Sequence, residues 1–169
     1  LLDTIMGEMQ AFPSTAIFVT LVIAGGCSDP EGSTQGAAGS ETVSLSVEHR
    51  SEWRQLWIQG TTDLPDGAFL NYSVTHELAT SSPREEWPAT NLLESGRATV
   101  KDGQFWSIVN TLNWPNGNVR VLVQFPFPPQ PPTIESRYGP LGEHLTGENV
   151  TTLAGMKAIE VEHHFEHRR

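Results

Sequence analysis

The chain is short of cysteine, of cationic side chains and of helical patterning, and each shortage excludes something. One cysteine, Cys27, in 169 residues leaves no partner for a disulfide within the chain. Lys and Arg number 10 against 20 Asp and Glu, a net charge of -10. Phosphate recognition rests on a cationic surplus, so nucleic acid is not an expected partner. No amphipathic stretch long enough for an ordinary helix competes with the strand patterns described below. The longest apolar run falls short of the roughly 20 residues that a comfortable spanning helix needs. Catalytic signatures are missing too: no G-x-S-x-G turn, no glycine-rich phosphate loop and no dinucleotide fingerprint occurs. Glu85 and Glu86 sit in a polar loop, where solvation accounts for them. The expectation is a non-enzymatic protein without a cofactor.

Turns and alternation are what the chain has. Gly 15 and Pro 12 point to many reversals. From residue 42 onward the apolar residues recur with period two. Val43, Leu45 and Val47 form one set, Leu56 and Ile58 the next, then Ala68, Leu70, Tyr72 and Val74. Arg97 to Lys101 and Gln104 to Val109 follow. Val119, Val121, Val123 and Phe125 make the cleanest set, and Ile159, Val161 and Phe165 the last. Pro65-Asp66-Gly67, Asp102-Gly103 and Asn116-Gly117 supply the turn chemistry between them. The pattern predicts an all-β chain: a single immunoglobulin-like β-sandwich of about seven strands over residues 42–167. Two long connections, Leu78 to Ser95 and Pro126 to Val150, interrupt it. The second opens with a proline cluster that must leave the sheet, and Thr133 to Tyr138 is expected to make a short helical turn.

The amino-terminal segment differs from everything after it. Residues 11–26 carry no charge, and Ala16 to Ala24 is an apolar run ending in Gly25-Gly26-Cys27. That order of features fits an export signal and its cleavage site. Val22-Ile23-Ala24-Gly25-Gly26-Cys27 resembles the lipobox of bacterial lipoproteins. The resemblance implies removal of residues 1–26 and acylation of Cys27, which anchors the chain in the membrane. It places the mature protein in the bacterial cell envelope, lipid-anchored and extracytoplasmic. Ser28, where Asp signals inner-membrane retention, implies the outer membrane in a Gram-negative host. Residues 27–41, rich in Gly, Ser and Ala, cannot bury enough surface to order themselves and read as a disordered tether.

The Ile58-Gln59-Gly60-Thr61-Thr62-Asp63-Leu64-Pro65-Asp66-Gly67 segment is similar to a G-x-T-N/D-L-P-D-G element of uncharacterised bacterial sandwich domains. Gln130-Pro131-Pro132, Gly142, Leu145 and Gly147 resemble the far end of such domains. This likeness implies a fold and no activity.

Three sets of residues are candidates for contact with a ligand. Trp87 and Trp114 lie in connections rather than strands, where an exposed indole can stack on a sugar or fill a partner's pocket. Folding of Trp87 over an open end of the core is the plainer expectation for that residue. Trp53, Trp57 and Trp106 are expected on sheet faces. Glu162, His164 and Glu166 share one side of the last strand and could hold a weakly bound surface cation, whereas His163 faces the other side. His49 and His76 close strands on the apolar phase, where hydrogen-bonded imidazoles at the sandwich edge are expected. The functional expectation is a membrane-anchored lipoprotein whose sandwich contacts a protein or the envelope without catalysis. The alternative is a carbohydrate- or metal-binding module.

Overall fold

A computed structural model describes residues 40–126, 129–147 and 149–168. The expected leader, Cys27 and nearly all of the expected tether lie outside the described residues. The described part is all-β, with two open sheets enclosing one core. Its strands are β1 (Glu41–Thr42), β2 (Glu48–Glu52), β3 (Gln55–Thr61), β4 (Phe69–His76), β5 (Leu93–Thr99), β6 (Gln104–Asn110), β7 (Gly117–Phe125), β8 (Leu145–Thr146), β9 (Val150–Leu153) and β10 (Met156–His167). Two short helices, α1 (Leu78–Ser81) and α2 (Pro132–Tyr138), lie in the long connections.

One sheet has the order β2-β3-β6 and the other β5-β4-β7-β10-β9. This is an immunoglobulin-like sandwich, with β9 added at the edge of the larger sheet. A separate parallel pair, β1 with β8, ties the start of the domain to the segment after α2.

Alternation decides which side chains enter the space between the sheets. Leu56 and Ile58 of β3, Phe105 and Val109 of β6, Leu70 and Val74 of β4, and Val119, Val121, Val123 and Phe125 of β7 are all buried there. Each such side chain contributes roughly 1.5–3 kcal/mol by leaving water. Gly60 marks a close approach: a Cβ there would stand 1.9 Å from the Ser46 carbonyl oxygen and 2.7 Å from the Phe105 ring. The Asp102-Gly103 turn takes φ of 52° and 70°, with Lys101 bridged to Gln104, as a tight two-residue reversal requires.

Several elements depart from the sequence reading. β5 starts at Leu93 rather than Arg97. Its inward positions opposite Val74 and Tyr72 are Glu94 and Gly96, so no apolar alternation announces it. Tyr72 lies over Gly96, where an added Cβ would come within 2.4 Å of its hydroxyl. The Val43, Leu45, Val47 set is not one continuous strand; it meets the end of β3 through the Leu45–Thr62 bridge and a hydrogen bond from the Ser46 amide to the Thr61 carbonyl (2.9 Å), and the ladder begins at Glu48. The β9–β10 hairpin turns on Ala154 and Gly155 with φ of 49° and 85°, and alanine there gives little turn signal.

Candidate functional site

The five tryptophans divide into two groups. Trp114 is fully buried. A turn with Asn113 at φ 67° and a hydrogen bond from the Trp114 amide to the Thr111 carbonyl (3.0 Å) fold it inward. Its indole N–H donates to Asn91 Oδ1 at 3.0 Å, and His76 and His167 meet its ring edge-on at 5.7 Å. The expectation of Trp114 at a ligand-accessible end is therefore corrected: it closes the core. Trp87 is half-buried, packs against the core and donates its N–H to the Ser82 carbonyl at 3.0 Å, which folds the loop back on itself.

Trp57 and Trp106 face outward on the three-stranded sheet, and Trp53 stands on its β2–β3 turn. Trp57 alternates with buried Leu56 and Ile58, and Trp106 with buried Phe105. In the β3–β6 ladder Gln59 stands opposite Trp106 and Trp57 opposite Ile108, so both indoles lie on one surface, 5.7 Å apart and tilted by 42°. Trp106 is 62% exposed. Arg50, across from Trp57 in the β2 ladder, sets its guanidinium 4.8 Å from that ring and pairs with Glu52 at 3.0 Å. Trp57 Nε1 is buried and has no acceptor among the described residues.

Two shallow concavities lie along this surface. Glu48, Gln59 and Gln104 join Arg50 and the two indoles around one of about 250 Å³. The other, about 440 Å³, runs past Ile108 to Leu112 and Trp53 at the β2–β3 turn. Trp53 is 79% exposed, with Arg54 stacked 3.7 Å from its ring centre. Ile108 and Leu112 are exposed as well. The outcome is a continuous row of apolar side chains flanked by amides and two arginines. Sequence alternation alone does not reveal it, because both phases of β6 carry large apolar residues.

The carboxy-terminal histidines and glutamates separate as alternation requires. Glu162, His164 and Glu166 point outward. His164 Nε2 lies 3.1 Å from Glu162 Oε2, and Arg120 donates to Glu162 Oε1 at 3.3 Å. Arg168 pairs with Glu166, and that hydrogen bond lowers the Glu166 pKa. Both carboxylates are thus engaged by guanidinium groups. Among the described residues no three metal-ligating side chains gather into a cation site; Glu162, His164 and Glu166 stand as a row of surface ion pairs.

His163 faces inward, and there the structure makes a contact that the sequence does not show. His49 Nδ1 and His163 Nε2 are 2.7 Å apart, one on each sheet. Phe165 stacks on His49 with ring centres 3.7 Å apart and planes 12° apart. Burial, and then the neighbouring His163, lower the His49 pKa. His76 is fully buried; its Nδ1 accepts from the Leu78 amide and its Nε2 donates to the Pro115 carbonyl, both at 3.2 Å.

No protein-family model, curated protein or solved structure matches the chain.

Proposed function

We propose that this protein is a lipid-anchored, extracytoplasmic recognition domain of the bacterial envelope. It is tethered through Cys27, and it binds a protein partner without catalysis on the outer face of its three-stranded sheet. The observation that carries the reading is the exposed row of Trp106, Ile108, Leu112 and Trp53 beside Trp57 and Arg50. Tryptophan and arginine dominate the energetics of protein–protein interfaces. The sheet holds Arg50, Trp57, Trp106 and Ile108 at fixed spacing, so little ordering entropy is lost when they are bound. Ile108 and Leu112 favour a protein over a glycan, since a sugar ring stacks on an indole but gains little from aliphatic branches. The acidic excess of the chain opposes a second copy of itself and favours a partner with a neutral or basic rim around an apolar centre.

The tether is supported by the apolar run that ends at Cys27 and by the Gly/Ser-rich segment after it. It is tested by intact-mass measurement of the membrane-fraction protein and by the Cys27→Ser variant. A diacylated Cys27 at the mature amino terminus, and release of the variant from membranes, are expected. An unmodified cysteine with residues 1–26 attached would end that half of the proposal. The face is tested by a photo-crosslinking residue at position 106 in living cells, with the same residue at position 164 on the opposite sheet as control. A discrete protein adduct at position 106 alone, lost in Trp53→Ala, supports a protein partner. Adducts only to glycan would reassign the face to the carbohydrate-binding reading, and equal labelling at both positions would remove it.

A further inference from the structure

The flank of the sandwich where β2 and β10 approach each other carries a second site, independent of the outer face. β2 is the edge strand of the smaller sheet. β9 pairs with β10 only over Met156–Ile159, so no described strand covers the outer edge of β10 at His163. The segment leading into β2 and β10 itself both alternate inward through aliphatic residues and then turn to imidazole where the two meet: Leu45 and Val47 before His49, Ile159 and Val161 before His163. Two aliphatic side chains would fill this place without the desolvation that two imidazoles suffer. Both rings are only half-buried, so water reaches them.

We propose that His49 and His163 form a two-imidazole site for a divalent transition-metal cation of the zinc or copper class, which clamps the two sheets together along this flank. Imidazole nitrogen suits these borderline metals, whereas calcium and magnesium seek oxygen. The nitrogens stand 2.7 Å apart. Metal–nitrogen bonds of 2.0–2.1 Å at a tetrahedral angle need about 3.3 Å between them. Phe165, stacked on His49 with planes 12° apart, holds that ring, so rotation of the half-exposed His163 ring supplies the opening of about half an ångström. Both ligand nitrogens need a free lone pair. The proton now held between the rings therefore moves, through solvent, to the other nitrogen of the ring that carries it. No proton is lost overall from two neutral rings. Water fills the remaining coordination positions on the solvent side.

The test uses the full chain, freed of metal with a chelator and titrated with zinc and copper salts. One equivalent should bind, and the melting temperature should rise by several degrees at saturation. His49→Gln and His163→Gln should each abolish the binding and the shift. His164→Gln and Cys27→Ser should keep both, which separates this site from the surface row and from the thiol. The paramagnetic resonance spectrum of the unsubstituted protein with one equivalent of copper should show hyperfine coupling to two equivalent nitrogens, a readout that does not depend on any variant folding. Absence of one-equivalent binding, a spectrum without two nitrogen ligands, or binding that survives both glutamine variants would show that the pair is a hydrogen-bonded contact and nothing more.

Discussion

The interior around Trp114 and the outer face around Trp106 use the same side chain for opposite ends. Trp114 has lost all its exposure, its N–H is satisfied by Asn91, and two imidazoles border its ring. Trp106 keeps 62% of its exposure and rests beside Trp57, whose N–H has no acceptor among the described residues. Apolar area that is buried stabilises the fold; apolar area left on a rigid surface is available to a partner. The difference between the two tryptophans is therefore a difference between stability and recognition, and it can be measured.

The largest effect is expected inside. Trp114→Ala should lower the unfolding free energy by about 3–5 kcal/mol, seen as a fall in the urea midpoint. A loss no greater than that of a surface substitution would show that Trp114 does not close the core. Next comes Gly60→Ala, whose new Cβ would meet the Ser46 carbonyl at 1.9 Å. Because backbone must move to admit it, a loss of about 1–3 kcal/mol is expected in the same experiment. Smallest is Trp106→Ala, whose stability should stay within about 0.5 kcal/mol of the unsubstituted protein. Its binding to the partner found by crosslinking should nevertheless fall. A Trp106→Ala protein that is strongly destabilised would erase the contrast and make the outer indole a structural residue.

Much of the sandwich is legible in the chain because its strands are amphipathic ribbons. Val119, Val121, Val123 and Phe125 recur at every second position, and all four are buried. Asp102-Gly103 has the residues for a tight reversal, and Thr133 to Tyr138 lies within α2. Legibility fails where a strand borrows its filling from elsewhere. Gly96 in β5 leaves room for Tyr72 of β4, whose hydroxyl accepts from Ser107 at 2.8 Å. Nothing near Gly96 in sequence announces that arrangement. The candidate sites fail for a related reason. Trp114 reads as a loop residue, and loops lie outside as a rule, but the turn at Asn113 sends this one inward.

The sequence by itself determined the period-two strands, the turns that separate them, the acidic excess and the segregation of His163 from His164, since each depends only on near neighbours and the pleat. Tertiary structure alone decided that Trp57 and Trp106 share a surface, that Trp114 is enclosed, and that His49 meets His163. Those relations join residues separated by 49 or 114 positions in the chain, or depend on how a connection folds back. Strand register and sheet pairing, which no local pattern encodes, set them.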